Sequence, residues 1–300
     1  MSEYLLGIDL GGTKIEAVLV PRESPVQPVC RLRVPTGQIH GYSHIINQIM
    51  ALCRQVEKET GIPLPPLLGL GHPGTLDPQS GQIKCSNTQV LNGRRLKEDL
   101  ENALGRSMIL ENDANCFAMA EALHGAAQGR SVVFGMILGT GVGGGLVVHG
   151  RVLHGCHGIA GEWGQWVLEP SGPESVYGTR GTVEAYLCGP ALERHYQQLT
   201  GDSLPLPEIA SRAGNGDPAA VATLEHLRAF FARGVAMLVN GIDPDAFVIG
   251  GGVGNLPLLY SRETRDEITR NIFQSNFSAE ILHPLLGDSA GVFGAALLTQ

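Results

Sequence analysis

Gly139-Thr140-Gly141-Val142-Gly143-Gly144 decides how this chain is read. The stretch matches G-x-G-x-x-G and follows an apolar run, Ser131 to Leu138. A dinucleotide fingerprint requires a helix after the glycines. Gly145-Leu146-Val147-Val148-His149 follows instead and is β-like. The Rossmann reading fails on that context, and a P-loop fails because the chain holds no GxxxxGK[ST]. What remains is strand, glycine turn, strand: a hairpin whose amides and Thr140 hydroxyl can hold phosphate oxygens.

The same pattern occurs about 130 residues earlier. Tyr4 to Leu10 reads as a buried strand, Gly11-Gly12-Thr13 as a turn, and Lys14 to Val20 as the return strand. Asp9, at an otherwise apolar strand end, is either a turn-capping residue or a carboxylate near a phosphate-bound Mg²⁺. Each hairpin is followed by helices, which indicates a coarse internal duplication. Between them lies Leu110-Glu111-Asn112-Asp113-Ala114-Asn115, where the strand Met108–Leu110 runs into a helix from Ala114 to about Gln128. Asp113 sits at that junction, where a carboxylate can face a cleft and stay ionised, and it is the candidate general base of a phosphoryl transfer.

Composition narrows the class. Hydrophobic residues make up 43% of the 300-residue chain and aromatics only 5%, so the core is aliphatic, as expected where α/β strands are buried. The formal charge of −8 argues against a nucleic-acid footprint. No two of the six cysteines are closer than 23 residues, which leaves no CxxC and no compact zinc set. There is no signal peptide and no apolar run of the length a membrane span needs, so a cytoplasmic protein is expected.

Periodicity predicts further elements. A strand is expected over Val29–Val34, and a helix over Tyr42–Thr60 with Ile45, Ile49, Leu52 and Val56 on one face and Gly61 ending it. Leu67–Gly71 is a short strand, and His72 in the following turn reads as structural. A helix spans Arg95–Leu104, and another spans Thr182–Leu199 with Gly189-Pro190 interrupting it. Ala219–Asn240 is a long helix, Ala246–Ile249 a strand before Gly250-Gly251-Gly252-Val253-Gly254, and Leu258–Gln274 a helix. After a strand at Ala279–Leu282, Asp288 or Ser289 caps a C-terminal helix of small residues.

Five motifs occur in order: Asp9-Leu10-Gly11-Gly12-Thr13-Lys14, Glu111-Asn112-Asp113-Ala114-Asn115, Leu138 to Gly145, Gly161-Glu162-Trp163-Gly164, and Ile249-Gly250-Gly251-Gly252. Together they resemble the ROK family of sugar kinases, in the actin/hexokinase-like (ribonuclease H-like) superfamily, from Leu6 to the C-terminal helix. The resemblance implies a duplicated two-lobe α/β fold with a cleft between lobes. Residues 1–112 would form the small N-terminal lobe and 113–287 the large one, with the helix at about 288–300 packing back on the first.

It also implies roles. Asp113 would be the catalytic base. Asn87, Asn112, Asp113, Glu162 and Glu184 would bind the sugar. Asp9, Gly11, Gly12, Thr13 and Lys14 would form the first phosphate hairpin, with Asp9 holding Mg²⁺ through water. Gly139, Thr140, Gly141, Gly143 and Gly144 would form the second, and Gly251 and Gly252 would line the adenosine pocket. The implied activity moves the γ-phosphoryl of Mg-ATP to a hexose hydroxyl, the 6-OH. Fructokinase or a broad-specificity hexokinase is the expected identity, and an N-acetylglucosamine or N-acetylmannosamine kinase is the alternative. The family's tendency implies a homodimer.

Two other classes compete. ROK-type regulators carry a DNA-binding segment before the kinase-like part. Here the first hairpin begins within ten residues of Met1 and the chain is acidic, so a kinase is expected. A catalytically dead sugar-binding module would be expected to lack Asp113 or a phosphate turn, and both are present. One departure from the family pattern keeps that module in play. The family's zinc site uses a histidine just after E-x-G and a C-x-C-G-x-x-G-C-x-E run. Gln165 stands at the histidine, and Ser175, Tyr177 and Thr182 stand at the cysteines, in the run from Ser175 to Glu184. None of these four is a credible zinc ligand, so no structural zinc is expected.

Overall fold

The computed structural model describes residues 2–175 and 177–300. Val176, in the run that replaces the zinc motif, lies outside them. The strands are β1 (Tyr4–Leu10), β2 (Lys14–Pro21), β3 (Cys30–Pro35), β4 (Leu67–His72), β5 (Thr75–Leu76), β6 (Ile83–Lys84), β7 (Ser107–Asn112), β8 (Val132–Leu138), β9 (Val142–Val148), β10 (Arg151–Val152), β11 (Ala246–Gly250) and β12 (Glu280–Leu282). The α-helices are α1 (Tyr42–Thr60), α2 (Leu96–Leu104), α3 (Asp113–His124), α4 (Glu184–Leu187), α5 (Gly189–Thr200), α6 (Leu206–Gly214), α7 (Pro218–Ile242), α8 (Arg262–Asn271) and α9 (Ala290–Leu297). None of the described helices is long and apolar enough to cross a membrane.

Two five-stranded sheets repeat one plan, with strand orders β3-β2-β1-β4-β7 and β10-β9-β8-β11-β12. In the first, β1 pairs antiparallel with β2 and parallel with β4, and β4 pairs parallel with β7. In the second, β8 pairs parallel with β11 and β11 parallel with β12, while β9 and β10 are antiparallel. The duplication expected from the two glycine hairpins is therefore a duplication of sheet topology.

Contacts divide the chain into two compact units. One comprises the chain up to Gln128, Gly145–Ala160 and Leu285–Gln300; the other comprises Gly129–Gly144 and Gly161–Pro284. In the first unit, α1 buries Ile45, Ile49, Leu52 and Val56 against the sheet and ends at Gly61, whose φ of 68° only glycine adopts without strain. Each such aliphatic side chain contributes about 1.5–3 kcal/mol when fully buried. Helix α3 is buried from Ala114 through Ala122, the pattern of a helix enclosed by the core rather than lying on it.

Helix α9 packs on β1, β4 and α3 with backbone against backbone. A methyl group at Gly69 would lie 1.7 Å from Ala295 O, one at Gly7 2.3 Å from Val292 O, and one at Gly294 1.9 Å from Cys116 O. These glycines set how closely the C-terminal helix approaches the ends of β1 and α3, which carry Asp9 and Asp113.

Several boundaries differ from expectation. β7 runs on through Asn112, so Glu111 and Asn112 are strand residues paired with Gly71 and His72. α3 stops at His124, because Glu121 Oε2 accepts the Ala126 N–H and draws the following turn away from the helical path. The second glycine turn is shorter than the motif, with Val142, Gly143 and Gly144 already in β9. α6 had no sequence signal strong enough to be expected. The expected helix over Leu258–Gln274 is a one-turn 3-10 segment, Pro257–Tyr260, then α8, which starts where the Ser261 side chain accepts the Thr264 N–H. Ser289 occupies the cap position of α9 but makes no side-chain cap bond.

Candidate active site

In the first unit, the β1–β2 turn presents its amides. Its carbonyls are occupied: Thr36 Oγ1 donates to Gly11 O at 2.6 Å, Gln38 Nε2 to Gly12 O at 3.1 Å, and the Thr36 amide to Thr13 O at 3.0 Å. The Gly12 and Thr13 N–H groups have no acceptor among the described residues, which is the arrangement an anion completes. Lys14 begins β2, directly after the turn.

Asp9 ends the same strand, wedged between two glycines. A methyl at Gly291 would lie 3.4 Å from Asp9 Oδ2, and one at Gly71 3.5 Å from Oδ1. Burial, then the charges of Asp113 and Glu16, push its pKa up to about 7. No N–H or O–H donor among the described residues serves its carboxylate. A hard oxygen ligand with that surplus of negative charge fits a divalent cation such as Mg²⁺.

Asp113 opens α3. Burial raises its pKa to about 6, against the Ala114 N–H, which its Oδ1 accepts at 2.8 Å. Asn112 is largely committed to structure. Its Oδ1 caps α3 by accepting the same Ala114 N–H at 2.9 Å, and its Nδ2 donates to Gly74 O at 2.9 Å. Buried Glu111 accepts from the Asn112 amide at 2.8 Å and Asn115 Nδ2 at 2.9 Å, and pairs with His154 Nδ1 at 2.6 Å. The strand-to-helix junction is thus braced on both sides of Asp113. Asn87 is exposed, in a loop pinned by Asn92, whose side chain bonds both the amide and the carbonyl of Ser86. His72 is fully buried at the end of β4, and burial lowers its pKa to about 4, so it is a neutral core residue near neutral pH.

The second unit presents the other turn. Gly139 N–H donates to Gly141 O at 2.9 Å, and Gly189 N–H donates to Gly139 O at 2.8 Å. Thr140 is exposed at the tip. Gly143 and Gly144 lie in β9: Trp163 Nε1 donates to Gly143 O at 3.0 Å, and a methyl at Gly144 would meet Trp163 Cδ1 at 2.6 Å. The lack of a side chain at Gly144 makes room for the buried indole. Glu162 immediately precedes a one-turn 3-10 helix, Trp163–Gln165. Glu184 opens α4 and accepts the Val142 N–H. In the run that replaces the zinc motif, Ser175 N–H donates to Thr179 O at 2.8 Å, and Gly178 N–H to Ser175 O at 3.0 Å. Among the described residues no three His, Cys, Asp or Glu side chains converge as a metal site.

A cavity of about 640 Å³ opens beside Thr140, lined by Gly139, Pro190, Leu206, Gly252 and Leu256 among others. Gly252, which the resemblance implies for an adenosine pocket, is among the residues that line this cavity. Gly251 is not among the lining residues; a methyl there would sit 2.3 Å from Leu138 O, at a φ of 85°. The proline and leucine walls, from the starts of α5 and α6, have little sequence signature. The only available signal is the pair of prolines, Pro190 and Pro207, each in the first turn of a helix.

The ROK family model matches residues 5–300. The chain belongs to the ROK family. An N-acetyl-D-glucosamine kinase of Photobacterium profundum is 34% identical over 302 residues, covering 97% of this chain and 98% of that protein. The ROK hexokinase of Thermus thermophilus is 34% identical with a TM-score of 0.88, covering 98% of this chain and 97% of that one. A ROK family glucokinase from Streptomyces griseus, solved with glucose and AMPPNP, is 29% identical with a TM-score of 0.81, covering 98% of each chain. At that level of description the protein is a ROK family sugar kinase with the α/β two-lobe fold.

Proposed function

We propose that this ROK protein is an ATP-dependent N-acetylglucosamine kinase with Asp113 as its base. The observation that carries the chemistry is the Asp113 carboxylate, half-buried at the start of α3 with its pKa raised to about 6. A base poised near the working pH removes a proton efficiently and is still ionised. Asp113 accepts the proton of the sugar 6-OH as that oxygen attacks the γ-phosphorus. The new bond is O–P, the bond to the β-phosphate bridging oxygen breaks, and ADP leaves. The turn amides at Gly12 and Thr13, and those at Thr140 and Gly141, bind phosphate oxygens. Such transfers need positioning and charge neutralisation more than covalent chemistry. Mg²⁺, which Asp9 would hold, would supply further charge neutralisation.

Asn87, Asn112, Glu162 and Glu184 bind sugar hydroxyls in this reading, and the 640 Å³ cavity takes the nucleoside. Kinship supports this sugar: the Photobacterium relative is an N-acetyl-D-glucosamine kinase, and none of the relatives named above is a fructokinase. That moves the preference away from fructose. Glucose is the second reading, favoured by the hexokinase and glucokinase structures.

The test is ADP release with Mg-ATP and a panel of N-acetylglucosamine, N-acetylmannosamine, glucose, mannose and fructose, wild type beside Asp113→Asn. N-acetylglucosamine should give the highest kcat/KM, and the variant should lose roughly 10²–10⁴-fold in turnover while keeping its fold. Faster turnover of glucose would move the assignment to the second reading. Turnover of no sugar would end the kinase proposal.

A further inference from the structure

We propose that Glu193 reads the ribose of the phosphoryl donor, so that this enzyme discriminates ribonucleotides from their 2′- and 3′-deoxy counterparts through one carboxylate. The inference rests on the assignment of the 640 Å³ cavity to the nucleoside. Among the residues that line that cavity, Glu193 carries the one charged side chain. Thr140 and Asn255 are neutral, and the remaining walls are glycine backbone, the flat rings of Pro190 and Pro207, and the aliphatic Leu206, Val253 and Leu256. Such a cavity suits a mostly flat ligand with a few polar groups, and its polar side chains set which ligand is held.

The carboxylate is fixed in place. Glu193 Oε1 accepts the Leu206 N–H at 2.9 Å, the first amide of α6. The contact ties α5 to the helix whose opening residues, Leu206 and Pro207, form the facing wall. The other carboxylate oxygen has no partner among the described residues. An ionised carboxylate only accepts hydrogen bonds, so the ligand group beside it must be a donor. A nucleotide offers the ribose hydroxyls and, on some bases, an exocyclic amine.

Position along α5 favours the ribose. Gly189, at the start of α5, is bonded to the phosphate turn through Gly139 O at 2.8 Å. Glu193 lies four residues farther along the helix, about 6 Å at 1.5 Å per residue. In a nucleotide the sugar follows the α-phosphate directly and the base lies beyond it. One helical turn from the phosphate turn is therefore the depth of the ribose. Because the acceptor is held by Leu206, little side-chain freedom remains to be lost on binding.

The experiment compares ATP, 2′-deoxy-ATP, 3′-deoxy-ATP and GTP at saturating sugar for wild type, Glu193→Ala and Glu193→Gln. Calorimetry with ADP and 2′-deoxy-ADP runs beside the kinetics. Wild type should lose roughly ten- to a hundredfold in kcat/KM when a ribose hydroxyl is removed, the size of a hydrogen bond to a charged group. Glu193→Ala should raise KM for ATP, treat ATP and the deoxy forms alike, and leave both KM for the sugar and the ATP-to-GTP ratio where they were. If the alanine variant melts early through loss of the Leu206 contact, Glu193→Gln keeps an acceptor for that amide and should still narrow the ribose discrimination. Ribose discrimination retained in both variants, or a change confined to the ATP-to-GTP ratio, overturns the inference. A wild type that turns over sugar without discriminating ribose also overturns it, and leaves the kinase proposal standing. Absence of turnover, with ADP bound and its ribose discriminated through Glu193, does the reverse. Absence of ADP binding overturns both.

Discussion

Glu184 Oε2 accepts the backbone N–H of Val142 at 2.9 Å. A methyl group at Gly141 would lie 2.8 Å from that same oxygen. The carboxylate assigned to the sugar therefore also shapes the turn assigned to phosphate. Glu184→Ala should raise KM for sugar and KM for ATP together, each by about the tenfold or more that loss of a hydrogen bond to a charged group produces. Glu184→Gln can still accept from Val142 and should spare the ATP term. Steady-state kinetics with each substrate varied in turn separates these. An alanine variant with an unchanged KM for ATP would dissolve the link.

The pH dependence of the reaction should carry the mark of Asp113. Burial favours its neutral form and lifts the folded pKa from 3.8 to about 6. The base works only when ionised, so kcat/KM for the sugar should fall on the acid side, with a midpoint near 6. A profile that stays flat well below that midpoint would remove Asp113 from the role.

Asp9 should make the metal-free protein more stable toward acid than its charge suggests. Its folded pKa is raised from 3.8 to about 7, so across that interval the folded chain holds a proton the unfolded chain has released. That stabilising contribution is complete below 3.8 and is lost as pH rises through 7. Asp9→Asn removes the titration. The variant should therefore melt above wild type at about pH 8 and show no such advantage at about pH 4. Thermal melts at the two pH values, without metal or nucleotide, give the comparison, and an advantage at acid pH alone would contradict the sign.

Gly69→Ala should be severe. Its new methyl would sit 1.7 Å from Ala295 O, which is helix backbone and cannot swing aside. The strain should cost at least about 1–3 kcal/mol, and for a chain of this size each kcal/mol lowers Tm by about 2–4 °C. Calorimetric melting of the variant measures it directly. A melt indistinguishable from wild type would show that α9 can retreat freely.

Zinc should be absent from the purified protein. Gln165, Ser175, Tyr177 and Thr182 offer no thiolate or imidazole, and the Ser175 amide is bonded to Thr179 O. Elemental analysis of protein prepared without chelator should find well under one zinc per chain; one equivalent would show a ligand set not recognised among these residues.

Much of the fold was legible because hydrophobic periodicity is a local property. Helix α1 begins and ends where the spacing of Ile45, Ile49, Leu52 and Val56 and the stop at Gly61 place it. The β-like run from Gly145 to His149 is enough to exclude a Rossmann turn. Boundaries failed where a distant partner decides them. The end of α3 depends on Glu121, and α6 is a short helix whose first amide is capped from α5 by Glu193. For the site, sequence nominated Asp9, Asp113 and both turns, yet could not reveal that Asn112 also caps Ala114 and bonds Gly74 or that His154 braces Glu111.

Residue type and order specify the duplicated strand–turn–strand plan, the carboxylate at the head of an apolar helix, and the residues without thiolate or imidazole groups where the zinc motif would be. Those follow from residue type and spacing, which act over a few turns of chain. Tertiary structure alone decided the electrostatics and the walls. Asp9 and Asp113 are 104 positions apart in the chain, and each acquires its raised pKa only when folding buries it, with Asp113 adding its charge to the field at Asp9. Likewise the 640 Å³ cavity exists only because α5, α6 and the segment after β11 converge on one glycine turn. Burial, field and enclosure depend on which distant segments meet, and no local pattern encodes that.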